Sequence, residues 1–170
     1  MYQQPMNDSP KPAGKLMLVL AWVALAALLY LYFDNKIERQ YNPNQQPQFS
    51  QQTLTLKQNA RGHYVTSATI NGEPVTLLLD TGATQISVPA HLAQQLQLQA
   101  GAASMVSTAN GLVQVRQTRI DTLSIGGLTM YDLAAHLNPG LTGDTILLGM
   151  NALKDLELVQ RGNTLTLRKY

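Results

Sequence analysis

The residues with the clearest chemical meaning are Leu77-Leu78-Leu79-Asp80-Thr81-Gly82-Ala83-Thr84. Three leucines deliver one aspartate to the end of an apolar run, and a Thr, a Gly and another small residue then turn the chain sharply. An ionised carboxylate beside that much apolar surface is costly unless something pairs with it or hydrogen-bonds it. Two outcomes are usual. One is an Asx-turn that caps a strand end; the other is a catalytic carboxylate whose proton affinity is adjusted by its surroundings.

Other chemistries find less support. His63, His91 and His136 are far apart and lack ligand spacing, so they read as surface or satisfied histidines, and no metal is expected. Ser87 and Ser107 have no visible His–Asp partners, which argues against a serine-hydrolase triad. Gly126-Gly127 reads as a turn, because no Lys-Ser/Thr or opening helix follows to make a phosphate loop. No cofactor is implied. With no cysteine in the chain, disulfides and thiolate metal sites are excluded. Lys+Arg (12) nearly balance Asp+Glu (10), and no basic stripe with interleaved aromatics occurs, so no nucleic-acid partner is expected.

The elements that must position Asp80 begin well upstream. Residues 1–15 are polar and contain proline, and read as a short tail. Residues 16–33 form an unbroken run of apolar or aromatic side chains without a charge. At helical rise such a run is about 27 Å long, enough for a hydrocarbon core of roughly 30 Å if flanking side chains snorkel. Tyr30, Tyr32 and Phe33 cluster at its far end, where an aromatic belt belongs. Tyr32-Phe33-Asp34-Asn35-Lys36 is a poor cleavage site, so an uncleaved anchor is expected over a signal peptide. Positive charges flank the run almost evenly. The short tail and the enzyme-like remainder point to an N-terminus in the cytoplasm and a single pass, with the folded part outside.

Residues 34–52 are rich in Gln and Asn, interrupted by Pro43 and Pro47, and almost free of aliphatics, so they read as a flexible linker. From residue 53 the texture changes to short alternating segments, which predict strands at 53–57, 65–70, 75–79, 85–88, 105–107, 112–117, 120–125, 128–133, 146–149, 158–160 and 164–168. Asn71-Gly72 and Asn110-Gly111 are hairpin signals. Helical spacing predicts short helices at 91–98 and 150–156. Many short strands with frequent turn signals mean an all-β domain over 53–170, a closed and mostly antiparallel barrel with one or two short helices.

In this context the Asp80 stretch resembles the active-site motif of retropepsin-like aspartic proteases, which runs apolar residues, Asp-Thr/Ser-Gly-Ala/Ser and then a hydroxyl or acidic residue. The family has a hairpin flap downstream, for which Thr108-Ala109-Asn110-Gly111 is the candidate; an ordinary hairpin turn fits those residues equally well. Nearer the C-terminus the family has an apolar-apolar-Gly element before a short helix, matched by Leu147-Leu148-Gly149 and then Asn151. The resemblance covers about residues 53–170, and with the anchor it looks closest to the membrane-anchored bacterial members of that clan. It implies Asp80 as catalytic carboxylate, Thr81, Gly82, Ala83 and Thr84 as the active-site loop, the flap as substrate cover, and a peptide or protein substrate.

Hydrolysing a peptide bond needs a base to activate water and an acid for the leaving group. Two carboxylates held close together supply both, since they cannot both ionise cheaply. Asp144-Thr145 is the nearest second copy of the motif, but Ile146 stands where Gly is needed, and the residues before it are loop-like. Symmetry must then supply the partner, and a homodimer is expected. The same barrel as a non-catalytic envelope peptide-binding module is the alternative, and an inert monomer is a third reading.

Overall fold

The computed structural model describes residues 12–108 and 111–169. The chain divides into two compact units, one ending at Glu38 and the other running from Arg39 to Tyr170. Helix α1 (Pro12–Tyr41) supplies the described residues of the first. Every side chain of the apolar run 16–33 is exposed, including Trp22 at 64% and Leu28 at 66%. The helix is long and apolar enough to cross a membrane. It ends one residue before Asn42, whose backbone the ring of Pro43 steers away from helical angles.

The second unit is almost all β, as the alternation predicts. Its strands are β1 (Phe49–Ser50), β2 (Thr53–Lys57), β3 (Val65–Ile70), β4 (Glu73–Leu79), β5 (Ile86–Pro89), β6 (Ala103–Thr108), β7 (Gly111–Ile125), β8 (Leu128–Asn138), β9 (Thr145–Leu148), β10 (Leu156–Arg161) and β11 (Thr164–Lys169), with helix α2 (Met150–Leu153) after β9. One sheet runs β3-β4-β9-β5-β8-β7-β6, and a further pairing of β3 with β7 closes it into a barrel from which β6 stands aside. The second sheet, β1-β2-β11-β10, adds Leu54, Leu56, Leu165 and Leu167 to the same core. All ladders are antiparallel except β4 with β9 and β5 with β8. Alternate side chains of both sheets, among them Leu54, Leu56, Ile70, Leu77, Ile86, Ile120, Ile146, Leu148 and Leu167, are fully buried in one core.

Three expectations are corrected. The flexible linker over 34–52 is the largest. Residues 34–41 continue α1, and the following stretch is tied to the barrel. Asn42 and Asn44 are buried, and Asn44 Nδ2 donates to the carbonyls of Lys57 (2.9 Å) and Val65 (2.7 Å), while its Oδ1 accepts from Lys57 N (2.8 Å). Asn42 Nδ2 donates to Ser67 Oγ, and Tyr41 Oη is 2.6 Å from Thr145 Oγ1. Phe49 N donates to the carbonyl of Gly126, where the chain packs so closely that only glycine fits. Amide side chains here satisfy strand-end backbone groups, so a polar composition did not mean a solvated chain.

The helix expected over 91–98 is only a 3-10 turn at Ala90–Leu92 followed by further turns. Gln97 takes a left-handed φ of 57°, and Leu98 N donates back to Ala93 O, so Leu96 and Leu98 are both buried, two residues apart. That spacing is incompatible with one helical face. The helix expected over 150–156 stops at Leu153, because Leu156 enters β10 opposite Lys169.

Candidate active site

Asp80 follows β4 directly. The register Leu77↔Ile146, Leu78↔Leu147 and Leu79↔Leu148 carries the ladder to the strand end, where Asp80 N donates to Leu148 O (3.1 Å). The chain then turns: Ala83 N donates to Asp80 O, and Gly82 N donates to Asp80 Oδ1 at 2.9 Å. That second bond is an Asx-turn. Its companion oxygen, Oδ2, has no hydrogen-bond partner among the described residues. A Cβ on Gly82 would lie 3.2 Å from Oδ1, so a larger residue there would press on the carboxylate.

The loop after Asp80 is braced by the segment after β9. Met150 N donates to Ala83 O (2.8 Å), and Asn151 N donates to Thr84 O (3.1 Å). The Asn151 side chain accepts from Ile86 N and donates to Ala134 O, joining the loop, β5 and β8. Gly149 makes this approach possible, since a Cβ there would lie 2.5 Å from the carbonyl of Gln85. Leu147-Leu148-Gly149 is therefore a mechanical brace, because its strand pairs with β4 and its glycine lets α2 start against the Asp80 loop.

Asp80 lines a cleft of about 760 Å³ together with Gly82, Ala83 and Thr84; Thr81 is exposed outside that lining. The hairpin β6–β7 forms a wall through Val106, Ser107, Thr108 and Val113. At its tip Thr108 pairs with Gly111, and Thr108 Oγ1 donates to Gly111 O (2.8 Å). Gly111 is not part of the lining, and Ala109 and Asn110 lie outside the described residues. His136, Ser87 and Asn138 also face the cleft, and sequence reasoning assigned none of them there. Only strand register brings them together, and nothing in their spacing announces it. Burial lowers the pKa of His136 below the ordinary imidazole value.

Asp144 goes elsewhere. Its exposed carboxylate pairs with His91 Nε2 at 2.9 Å and borders a different groove. Since Thr145 pairs with Thr76 and Leu148 with Leu79, Asp144 and Asp80 stand at opposite ends of two parallel strands. Five residues of register separate them, about 16 Å at strand rise. Arg119 and Asp132 form an exposed two-pronged pair on the β7–β8 ladder, away from the cleft lining, which raises the arginine's pKa and lowers the aspartate's, chiefly through their side-chain hydrogen bonds. Among the described residues no group of three or more His, Cys, Asp or Glu is placed to hold a metal.

The chain is similar to known proteins. An uncharacterized protein in the cobV 5' region of Sinorhizobium sp is 34% identical over 122 residues, 69% of this chain and 52% of its own length, so the chain spans about half of that curated relative. The crystal structure of a retropepsin-like aspartic protease from Rickettsia conorii shares the fold at 21% identity and a TM-score of 0.56, over 69% of this chain and 90% of that one. EIAV protease, solved with the inhibitor HBY-793, gives 22% identity and a TM-score of 0.46 over 57% and 90% of the two chains. The family described as gag-polyprotein putative aspartyl protease matches residues 66–155, from β3 across Asp80 and the hairpin to the end of α2, and the chain belongs to that family of retropepsin-like aspartic proteases.

Proposed function

We propose that this chain is a membrane-anchored aspartic endopeptidase whose active form is a homodimer, with Asp80 of each protomer as the catalytic carboxylate. One observation carries the reading: among the described residues the cleft lining contains a single carboxylate, and the chain's nearest imitation of the motif lies at the far end of the paired strand. A two-fold axis beside the Asp80 loop supplies the second carboxylate. In the pair, the ionised carboxylate takes a proton from a bound water, and the water oxygen attacks the substrate carbonyl carbon. The neutral partner hydrogen-bonds the carbonyl oxygen; the carboxyl that took the water's proton then passes it to the amide nitrogen, the tetrahedral adduct collapses, the C–N bond breaks and the amine leaves. Thr81 braces the two loops across the axis, and Gly82 permits their close approach. The hairpin tip 108–111 covers an extended substrate through main-chain hydrogen bonds.

Helix α1 is the anchor, through residues 16–33, in the inner membrane with the barrel on the periplasmic or otherwise extracytoplasmic side. Two anchors in one bilayer raise the effective concentration of protomers, so a weak dimer suffices. The test compares full-length protein with Asp80→Asn on a mixed peptide library between about pH 4 and 7, with sedimentation at several concentrations. Asn keeps an oxygen for the Gly82 N–H, so the variant folds. Loss of cleavage with peptide binding retained supports the reading. Peptide binding without cleavage in either form would replace it with a non-catalytic peptide-binding module.

A further inference from the structure

Four strands place Leu147, Ser87, His136 and Gln117 side by side, through the pairings Leu147↔Ser87, Ser87↔His136 and His136↔Gln117. All four line the cleft that holds Asp80. We propose that Ser87, His136 and Gln117 form a subsite for an acidic side chain of an extended peptide, making His136 a specificity-determining residue. The inference deepens the proteolytic reading and rests on it for the nature of the ligand.

Among the described residues the cleft lining contains no Lys or Arg, so His136 is the one side chain in it that can become cationic. Its imidazole is half-buried and makes no hydrogen bond or ion pair among the described residues. Its cross-strand neighbours are uncharged, Ser87 from β5 and Gln117 from β7, and Leu147 of β9 lies beyond Ser87. Asp80 is the other titratable group of the lining. The Ser87 hydroxyl accepts from Asn138 Nδ2 (3.3 Å) and keeps its own proton for another acceptor. An imidazolium, a hydroxyl and a primary amide are the donors that a carboxylate accepts. Without ligand, burial favours the neutral imidazole. A carboxylate placed against it supplies the missing counter-charge, so binding an acidic side chain takes up a proton at His136, and lower pH tightens binding.

The experiment uses full-length protein in detergent and peptides carrying one Glu at successive positions around the cleaved bond, each with its Gln counterpart. At one position wild type prefers Glu by about 10-fold in kcat/KM, the size of one charge-assisted hydrogen bond. That preference shrinks as pH rises, and in His136→Gln both the preference and its pH dependence vanish. The His136 imidazole resonance, followed by NMR in the Asp80→Asn protein, titrates at higher pH with the Glu peptide bound than with the Gln peptide. Cleavage with no Glu preference at any position, or a preference that survives His136→Gln, overturns the subsite and leaves the protease reading standing. Absence of cleavage with His136-dependent binding of Glu peptides does the reverse. A protein that neither cleaves nor binds any of the peptides sinks both.

Discussion

Asp80-Thr81 and Asp144-Thr145 are the same dipeptide at opposite ends of two neighbouring parallel strands, yet their surroundings share almost nothing. The first follows the apolar end of β4 and turns through Gly82 into the cleft, with one carboxylate oxygen held by a backbone N–H. The second precedes β9, emerges from a loop and pairs with His91 in solvent. Ile146 explains the difference. Its side chain is wholly buried opposite Leu77, so the chain must extend as a strand where the first copy turns. The third residue of the motif, more than the aspartate itself, decides whether the carboxylate faces a cleft or water.

Substitutions at the two copies sharpen that contrast. Asp80→Asn lowers kcat by about 100- to 10,000-fold, the usual worth of a positioned acid–base group, whereas Asp144→Asn stays within about twofold. Equal losses in the two variants would erase the distinction. Ile146→Gly, which rebuilds the Asp-Thr-Gly spelling, destabilises the barrel by about 3–5 kcal/mol in urea unfolding through the cavity it leaves and restores no activity to Asp80→Asn. Gly149→Ala costs about 1–3 kcal/mol, since its methyl group meets the Gln85 backbone, and it disturbs the Asp80 loop while sparing the His91–Asp144 pair.

The smallest effect concerns acid. His136 has a folded pKa below its unfolded one, so the unfolded chain binds more protons and stability falls as pH drops through the window beneath the ordinary imidazole value. His136→Gln flattens that decline in thermal melts between about pH 7 and 5, the range around and below an unperturbed imidazole. Asp144→Asn leaves it in place.

What the sequence made legible follows periodicity and special residues. The run Leu77-Leu78-Leu79 and the Asn71-Gly72 turn placed β3, β4 and the Asp80 turn, and Leu147-Leu148-Gly149 marked the brace. Asn71 does more than turn: its side chain accepts from Thr122 N and donates to Leu96 O, long-range bonds that no local pattern announces. His136 was invisible as a cleft residue because cross-strand register, not spacing along the chain, brings it beside Ser87 and Gln117. Residues 42–50 misled for a related reason. Counting aliphatics measures how much oil a segment can bury, whereas Asn42 and Asn44 are buried through their amides.

The hydrogen-bonded strap at Asn42 and Asn44 also limits where the polypeptide can be cut. A protease needs a free, extended backbone, and here the main-chain and side-chain groups are already engaged by Lys57, Val65 and Ser67. Nicking there requires prising the segment from the barrel. A cut that leaves the strap on the barrel therefore falls within α1, which must first unwind there, and the liberated fragment carries its strap away with it.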